Sequence, residues 1–342
     1  DSLGNFIIMG LIFNQTYFKG LLDKLGIGFE QWRYFKYKSA MDAFSETEIP
    51  EADKEQKKIL LQDIYQIIAN DYTKEKGYKD NFLLHLFNEE TIINGEKSKT
   101  LGIIDSLTTE TPNYQTENCI LLEDYQKQKK DMWGKEPEIA LVYALGVCHN
   151  DYGIKAKKLN RLLMKLSKEK NVKAVVLRID SPGGDALASD MVTRAINEIK
   201  KTKPVIISQG AVAASGGYWV SMSGTKIFST PYTITGSIGV IGGWIYNKGF
   251  SEISGLTSDW VTIGKHSELL GGISLPLLGT LPNRNLNKEE KEKIKNYIIN
   301  QYDQFINKVS YYRNIKVSEV EEIAQGRIWS GLRAKGIGLI DD

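Results

Sequence analysis

Two serines and a run of glycines stand in this sequence where an acyl-transfer site could be built. Ser181-Pro182-Gly183-Gly184 follows an apolar run over 172–179. Ligands of open α/β sheets collect outside the carboxyl ends of the strands, and paired glycines let a chain turn sharply and present N–H groups. Gly183 and Gly184 are therefore candidates for an oxyanion hole, the donors that stabilise a tetrahedral intermediate; a plain tight turn would also use this word. Ala213-Ala214-Ser215-Gly216-Gly217-Tyr218-Trp219 comes after a second apolar run, 204–208, and opens a segment of helical spacing. A serine at a helix start meets N–H groups that favour developing negative charge, although small residues in a row also serve close helix packing. Thr235-Gly236-Ser237-Ile238-Gly239 reads equally as a strand and bulge, and Ser237 gains a role only beside the other two words.

A serine nucleophile needs a base. The three histidines offer weak support: His85 sits in an apolar, helix-like segment, His149 ends a strand beside Asp151, and His266 follows Lys265. No Gly-x-Ser-x-Gly elbow presents itself. Lysine can replace histidine if it is held neutral, which means lowering its pKa from about 10.4 towards 7, a change of roughly 4 kcal/mol. Burial is the usual means. Composition does not select which lysine that is.

The elements that must position these words follow from periodicity. Residues 138–147 read as a strand, 154–168 as a basic amphipathic helix, 172–179 as a buried parallel strand, and the stretch after Asp185 as a helix to about 200. Then come a strand at 204–208, a small-residue helix at 213–222 and a short strand at 227–230. Strands alternating with helices imply crossover units and a mostly parallel sheet, an α/β fold. The chain also repeats itself. Asn94-Gly95-Glu96-Lys97-Ser98-Lys99-Thr100-Leu101-Gly102-Ile103-Ile104-Asp105 resembles Ser330-Gly331-Leu332-Arg333-Ala334-Lys335-Gly336-Ile337-Gly338-Leu339-Ile340-Asp341, and Asp1-Ser2-Leu3-Gly4 resembles Gly236-Ser237-Ile238-Gly239. A long helix, 53–76 or 288–313, lies between the anchors in each copy. Residues 1–110 are thus expected to be the rear half of one unit, 111–135 a polar linker, and 136–342 a complete second unit.

The 342 residues are 42% hydrophobic and 25% charged with a net charge of +2, which is globular composition with no general electrostatic pull towards nucleic acid or an anionic membrane. Cys119 and Cys148 have no metal-like spacing and read as two buried free thiols. The apolar stretch 6–13 is interrupted by Gly10 and too short to span a bilayer. No cofactor or metal is implied.

Together these words resemble the signal peptide peptidase A family, also called protease IV, whose fold is ClpP/crotonase-like. The resemblance is carried by Val175-Val176-Leu177-Arg178-Ile179-Asp180-Ser181-Pro182-Gly183-Gly184, by the words around Ser215 and Ser237, and by Tyr37-Lys38-Ser39-Ala40-Met41-Asp42-Ala43-Phe44. It runs in order over essentially the whole chain, as one complete ClpP/crotonase-like repeat preceded by the rear half of another. It implies a serine–lysine dyad with Ser215 as nucleophile, Lys38 as general base and Ser237 orienting the lysine. Gly183 or Gly184 would supply one oxyanion N–H and Gly216 or Ser215 another. Lys38 is expected at the surface of its own unit, desolvated only when the two units dock. Lys265, in Gly264-Lys265-His266-Ser267, is a rival base, because shorter relatives keep the lysine in the same unit as the serine.

The resemblance further implies a serine endopeptidase acting on apolar peptides such as spent signal peptides, a homo-oligomer sheltering its active sites, and membrane association with the site on the extracytoplasmic side. An anchor and the front half of the first unit would lie outside this chain. Leu187, Val212, Ile238 and Val240 flank the motifs and are candidates to line a groove, with ordinary core the expectation for most of them. Two other functions are compatible with the fold: a crotonase-like enzyme acting on acyl-CoA thioesters, and a scaffold without activity.

Overall fold

The computed structural model describes residues 4–79, 81–108, 137–276 and 279–342. Cys119, the expected linker at 111–135 and Asp1 to Leu3 lie outside the described residues. The chain forms two compact units, one of residues 1–12 with 65–137 and one of 13–64 with 138–342. Segment 13–64 is thus packed with the second of the two expected units. The contacts that place it there are specific. Strand Ile27–Trp32 pairs antiparallel with Gly242–Asn247, Phe35 stacks on Tyr302 with ring centroids 3.8 Å apart, and Asp63 accepts from Ser330 Oγ at 2.7 Å.

The larger unit is built on a six-stranded sheet. Glu138–Leu145, Val172–Ser181 and Val205–Ala214 run parallel, Lys226–Phe228 and Ile234–Gly236 both pair parallel with the third, and Ile328–Ser330 closes the edge antiparallel. Crossovers through helices are the economical way to join parallel neighbours, and the sequence provides the helices. Helix Ala156–Lys168 buries Ala156, Leu159 and Leu163 at helical spacing. Helix Ala186–Lys200 starts where Asp185 accepts the Ala188 N–H at 2.6 Å and buries Ala188, Val192, Ala195, Ile196 and Ile199. Helix Lys288–Arg313 opens on a capping box between Asn287 and Glu290 and ends at Asn314 in the left-handed conformation, as cap chemistry favours.

Two elements differ from their expectation. Val172–Ser181 is buried on one face, through Val172, Val175, Leu177, Ile179 and Ser181, while alternate residues are exposed or half-buried. Helices cover one side of the sheet at this strand, and Arg178 and Asp180 occupy the other. The next strand runs to Ala214, six residues beyond the expected stop at 208. Its register shifts between Ile179 and Ser181, and Asp180 bridges the irregularity by accepting the N–H groups of Ala211 and Val212 at 3.3 and 3.1 Å. A carboxylate that satisfies displaced backbone donors lets the strand continue past a bulge.

The smaller unit pairs Asn5–Ile7 antiparallel with Ile92–Asn94 and buries Leu83, Leu86 and Ile93. Asn94 caps the helix that follows by accepting from Lys97 N. In the larger unit Ser330 caps its helix by accepting from Arg333 N. Gly102 and Gly338 end the two turns at φ +74° and +78°. The repeated words therefore fold into the same strand, cap, helix and turn. Among the described residues no helix is long and apolar enough to cross a membrane.

Candidate active site

The extended strand delivers Ser215 into the turn before helix Gly216–Ser221. Its backbone has φ +54° and ψ −118°, a region that side-chain-bearing residues rarely adopt and that costs of order 1–3 kcal/mol. The conformation is held from both sides: Ser215 N–H donates to Gly236 O at 2.8 Å, and Ser215 O accepts from Trp219 N at 2.8 Å. Ser237, at φ +51°, is held likewise by its N–H bond to Arg327 O at 2.7 Å. The serines thus sit on neighbouring strand ends, and their side chains are aimed by strained but well-anchored backbone.

Lys38 meets both of them. Its Nζ lies 2.9 Å from Ser215 Oγ, 3.0 Å from Ser237 Oγ and 2.8 Å from Ser237 O. The residue is 5% exposed, and burial lowers its pKa from the ordinary 10.5 to about 7. Among the described residues no carboxylate contacts Nζ to restore the charge. A neutral amine has two hydrogens and one lone pair. With the hydrogens donated to the carbonyl and hydroxyl of Ser237, the lone pair faces the Ser215 hydroxyl, which is the arrangement a general base requires.

The lysine is buried by close backbone packing. A Cβ added to Gly326, which has φ +80°, would stand 2.5 Å from Lys38 Cβ, and one on Gly239 would stand 3.3 Å from Lys38 Cδ. Gln56, itself 2% exposed, fastens the loop: its Nε2 donates to Tyr37 O at 3.0 Å and its Oε1 accepts from Ile328 N at 3.1 Å. Ile328 is the partner of Gly236 across the sheet, so one side chain ties the lysine loop to the serine-bearing strand pair. Neither Gln56 nor Gly326 was singled out by sequence. Their signals are weak: Gly326 resembles an ordinary stop after a helix, and Gln56 belongs to a helix face where Asp53, Gln56, Leu60 and Asp63 are all buried. An apolar-stripe search passes over a buried stripe that is mostly polar.

The two glycine words touch. A Cβ on Gly183 would come within 2.7 Å of Gly216 N and of Ser215 Cβ, and one on Gly216 within 3.1 Å of Gly184 N. Gly183 N–H donates inward to Ser181 Oγ at 3.2 Å, and Ser215 N–H is committed to the sheet. Among the described residues the amides of Gly184 and Gly216 carry no hydrogen bond. They are the donors left to face a ligand. Cys148, 1% exposed, supports the loop from behind through Ser181 Oγ at 3.4 Å, and burial raises its thiol pKa.

The rest of the expected set separates. Lys265 is exposed and ion-paired with Glu289 at 2.7 Å, a partnership that raises its pKa; it takes no part in the Ser215 cluster. His266 contacts Glu290 at 2.9 Å, His149 stacks on Tyr152, and His85 lies in the helix Phe82–His85 of the smaller unit. A cleft of about 360 Å³ opens on Lys38, Ser215 and Ser237, with Met41, Val240 and Phe305 among its walls. Val240 is a wall as expected, and Leu187 lines the adjoining cleft. Ile238 is fully buried core, and Val212 lines neither cleft. Among the described residues no group of three or more histidine, cysteine or acidic side chains could hold a metal ion.

The sequence profile of peptidase family S49 matches residues 6–117 and 197–342, and that of Clp protease matches 149–235. Serine protease SPPA, chloroplastic, of Arabidopsis thaliana is 33% identical over 98% of this chain and 51% of its own length. Protease 4 of Haemophilus influenzae is 28% identical over 100% of this chain and 58% of its own, and Protease 4 of Salmonella typhi 27% identical over 99% and 57%. The chain therefore spans somewhat more than half the length of these relatives.

Proposed function

Because this chain belongs to peptidase family S49, we propose that it is a serine endopeptidase in which Ser215 attacks and Lys38 is the base. What supports this above all is one buried amine within 3.0 Å of both serine hydroxyls. With a pKa of about 7, roughly half of the lysine is neutral at pH 7, against about one molecule in 3,000 at the ordinary value. Lys38 takes the Ser215 proton as Oγ adds to the scissile carbonyl. The oxyanion is received by the N–H groups of Gly184 and Gly216, with Gly183 shaping the turn. The Lys38 ammonium returns the proton to the leaving amine, which departs as the C–N bond breaks. Water then adds to the acyl-Ser215 ester with Lys38 again as base, releasing the acid and restoring both residues. The carbonyl and hydroxyl of Ser237 hold the other two amine hydrogens throughout, leaving the third position of Nζ to carry the proton in transit.

The substrates are extended apolar peptides, including remnant signal peptides, since the cleft walls are mainly apolar. Residues 1–110 are the rear half of a first ClpP-like repeat and 136–342 a complete second one. The whole protein works as a homo-oligomer at a membrane, with the site on the extracytoplasmic side. Labelling with a fluorophosphonate probe tests the reading: wild type reacts, while Ser215→Ala and Lys38→Met do not. Full labelling of either variant refutes the corresponding assignment, and a wild type that neither labels nor cleaves casein refutes the activity.

A further inference from the structure

The cleft at Ser215 does not end there. It adjoins a second of about 470 Å³ with which it shares Trp219, Val240 and Ile241. That one shares Trp32 and Ile294 with a third, of about 460 Å³, walled by Trp32, Trp244, Leu269, Leu270, Leu286 and Ile294. Two elements run the length of the series. Helix Lys288–Arg313 places Phe305 at the catalytic cleft, Tyr297 and Ile298 at the middle one and Ile294 at the far one. The chain from Val240 through Gly242 to Trp244 also lines all three, and Trp32, the register partner of Gly242, lines the last two. The charged groups at the far rim are already paired, Glu290 with Arg284 and Lys293 with Glu289, so the pocket itself offers apolar surface.

We propose that this far pocket is a distal subsite of the peptidase, taking an apolar side chain of the substrate polypeptide well away from the bond that is cut. The proposal rests on the peptidase reading above. The clefts are continuous, and their span fits an extended peptide. From Phe305 back to Ile294 the helix rises about 16 Å at 1.5 Å per residue, and from Val240 to Trp244 an extended chain covers about 13 Å. Two independent rulers thus agree. An extended peptide at about 3.3 Å per residue crosses that span in four or five residues. The preferred substrate therefore carries a leucine-like residue four or five positions from the scissile bond, and short esters and dipeptides forgo that contact.

The test uses the full chain and a fixed cleavable core peptide, extended by five residues on its amino or its carboxyl side, with Leu or Ser at the distal position. Binding is read by fluorescence anisotropy on Ser215→Ala protein, and turnover on wild type. On one of the two sides the Leu peptide binds about tenfold more tightly than its Ser control, from burial of one aliphatic side chain in an open pocket, and the gain in turnover lies in KM. Leu270→Asp, a change at a side chain 87% exposed, removes the gain without touching the core. Equal binding of Leu and Ser peptides on both sides, or a gain that survives Leu270→Asp, overturns the proposal. A Leu preference in binding without cleavage of any peptide overturns the peptidase reading instead. Loss of oligomer mass in Leu270→Asp, with no Leu preference, assigns the pocket to an interface between copies and also overturns it.

Discussion

Replacing Lys38 by methionine should make the protein more stable, by an amount that depends on pH in a way the burial of this amine dictates. In the unfolded chain the lysine titrates near 10.5, in the folded one near 7. At about 1.4 kcal/mol per pH unit the difference amounts to about 5 kcal/mol. Below pH 7 both states of the wild type carry the proton and the whole penalty is present. Between 7 and 10.5 the unfolded state holds a proton that the folded state lacks, so wild-type stability rises with pH. Above 10.5 both are neutral and the penalty is gone. Lys38→Met lacks this titration, while the remaining groups titrate alike in the two proteins and cancel. Loss of the bonds to Ser237 offsets the comparison by an amount independent of pH, leaving the slope as the diagnostic. Chemical denaturation of both proteins from pH 6 to 9.5 should show the advantage of the variant flat up to 7, then shrinking by about 3 kcal/mol by 9.5. An advantage that does not change with pH, or that grows as pH rises, would refute the buried neutral amine and the base assignment built on it.

Three further outcomes follow from the same geometry. The rate of fluorophosphonate labelling should fall tenfold per pH unit below an apparent pKa of about 7, because protonation removes the base; a rate that is flat from pH 5 to 8 contradicts this. Gly326→Ala should lower labelling by about 100-fold, since a Cβ 2.5 Å from Lys38 Cβ must displace the lysine and misplacements near 1 Å carry that cost; denaturation should also show a loss of about 1–3 kcal/mol from the positive φ. Lys265→Ala should leave labelling within about twofold and stability almost unchanged, because its ion pair is exposed and screened, and a large loss of labelling would return that lysine to candidacy.

The sequence was legible wherever a local pattern answers a local need. Paired glycines after a strand and the repeated words that begin at Asn94 and Ser330 are short-range devices, and they fold as their spacing implies, whereas the helix expected at 213–222 is confined to Gly216–Ser221 with Ser215 in the turn before it. Helix Lys288–Arg313 falls where a helix over roughly 288–313 is expected, and its capping box and its αL stop lie in adjacent side chains. Strand Val205–Ala214 overran its expected end because the support comes from Asp180, distant in sequence and invisible to periodicity. The words around Ser215 and Ser237 could be placed on elements, but their union could not be read from spacing and came only through resemblance.

What the chain sequence determined by itself is the supply of parts: turns that expose amides, a serine at a helix start, and many lysines of equal standing. Which lysine loses its proton was decided by the tertiary structure, because desolvation is a property of surroundings. Lys38 is enclosed by Gly239 and Gly326, the latter 288 positions away along the chain, while Lys265 keeps water and Glu289. The same holds for the proposed oxyanion donors. Four amides were equivalent in the sequence, and only the fold, by spending those of Gly183 and Ser215 on internal partners, left Gly184 and Gly216 to face the cleft.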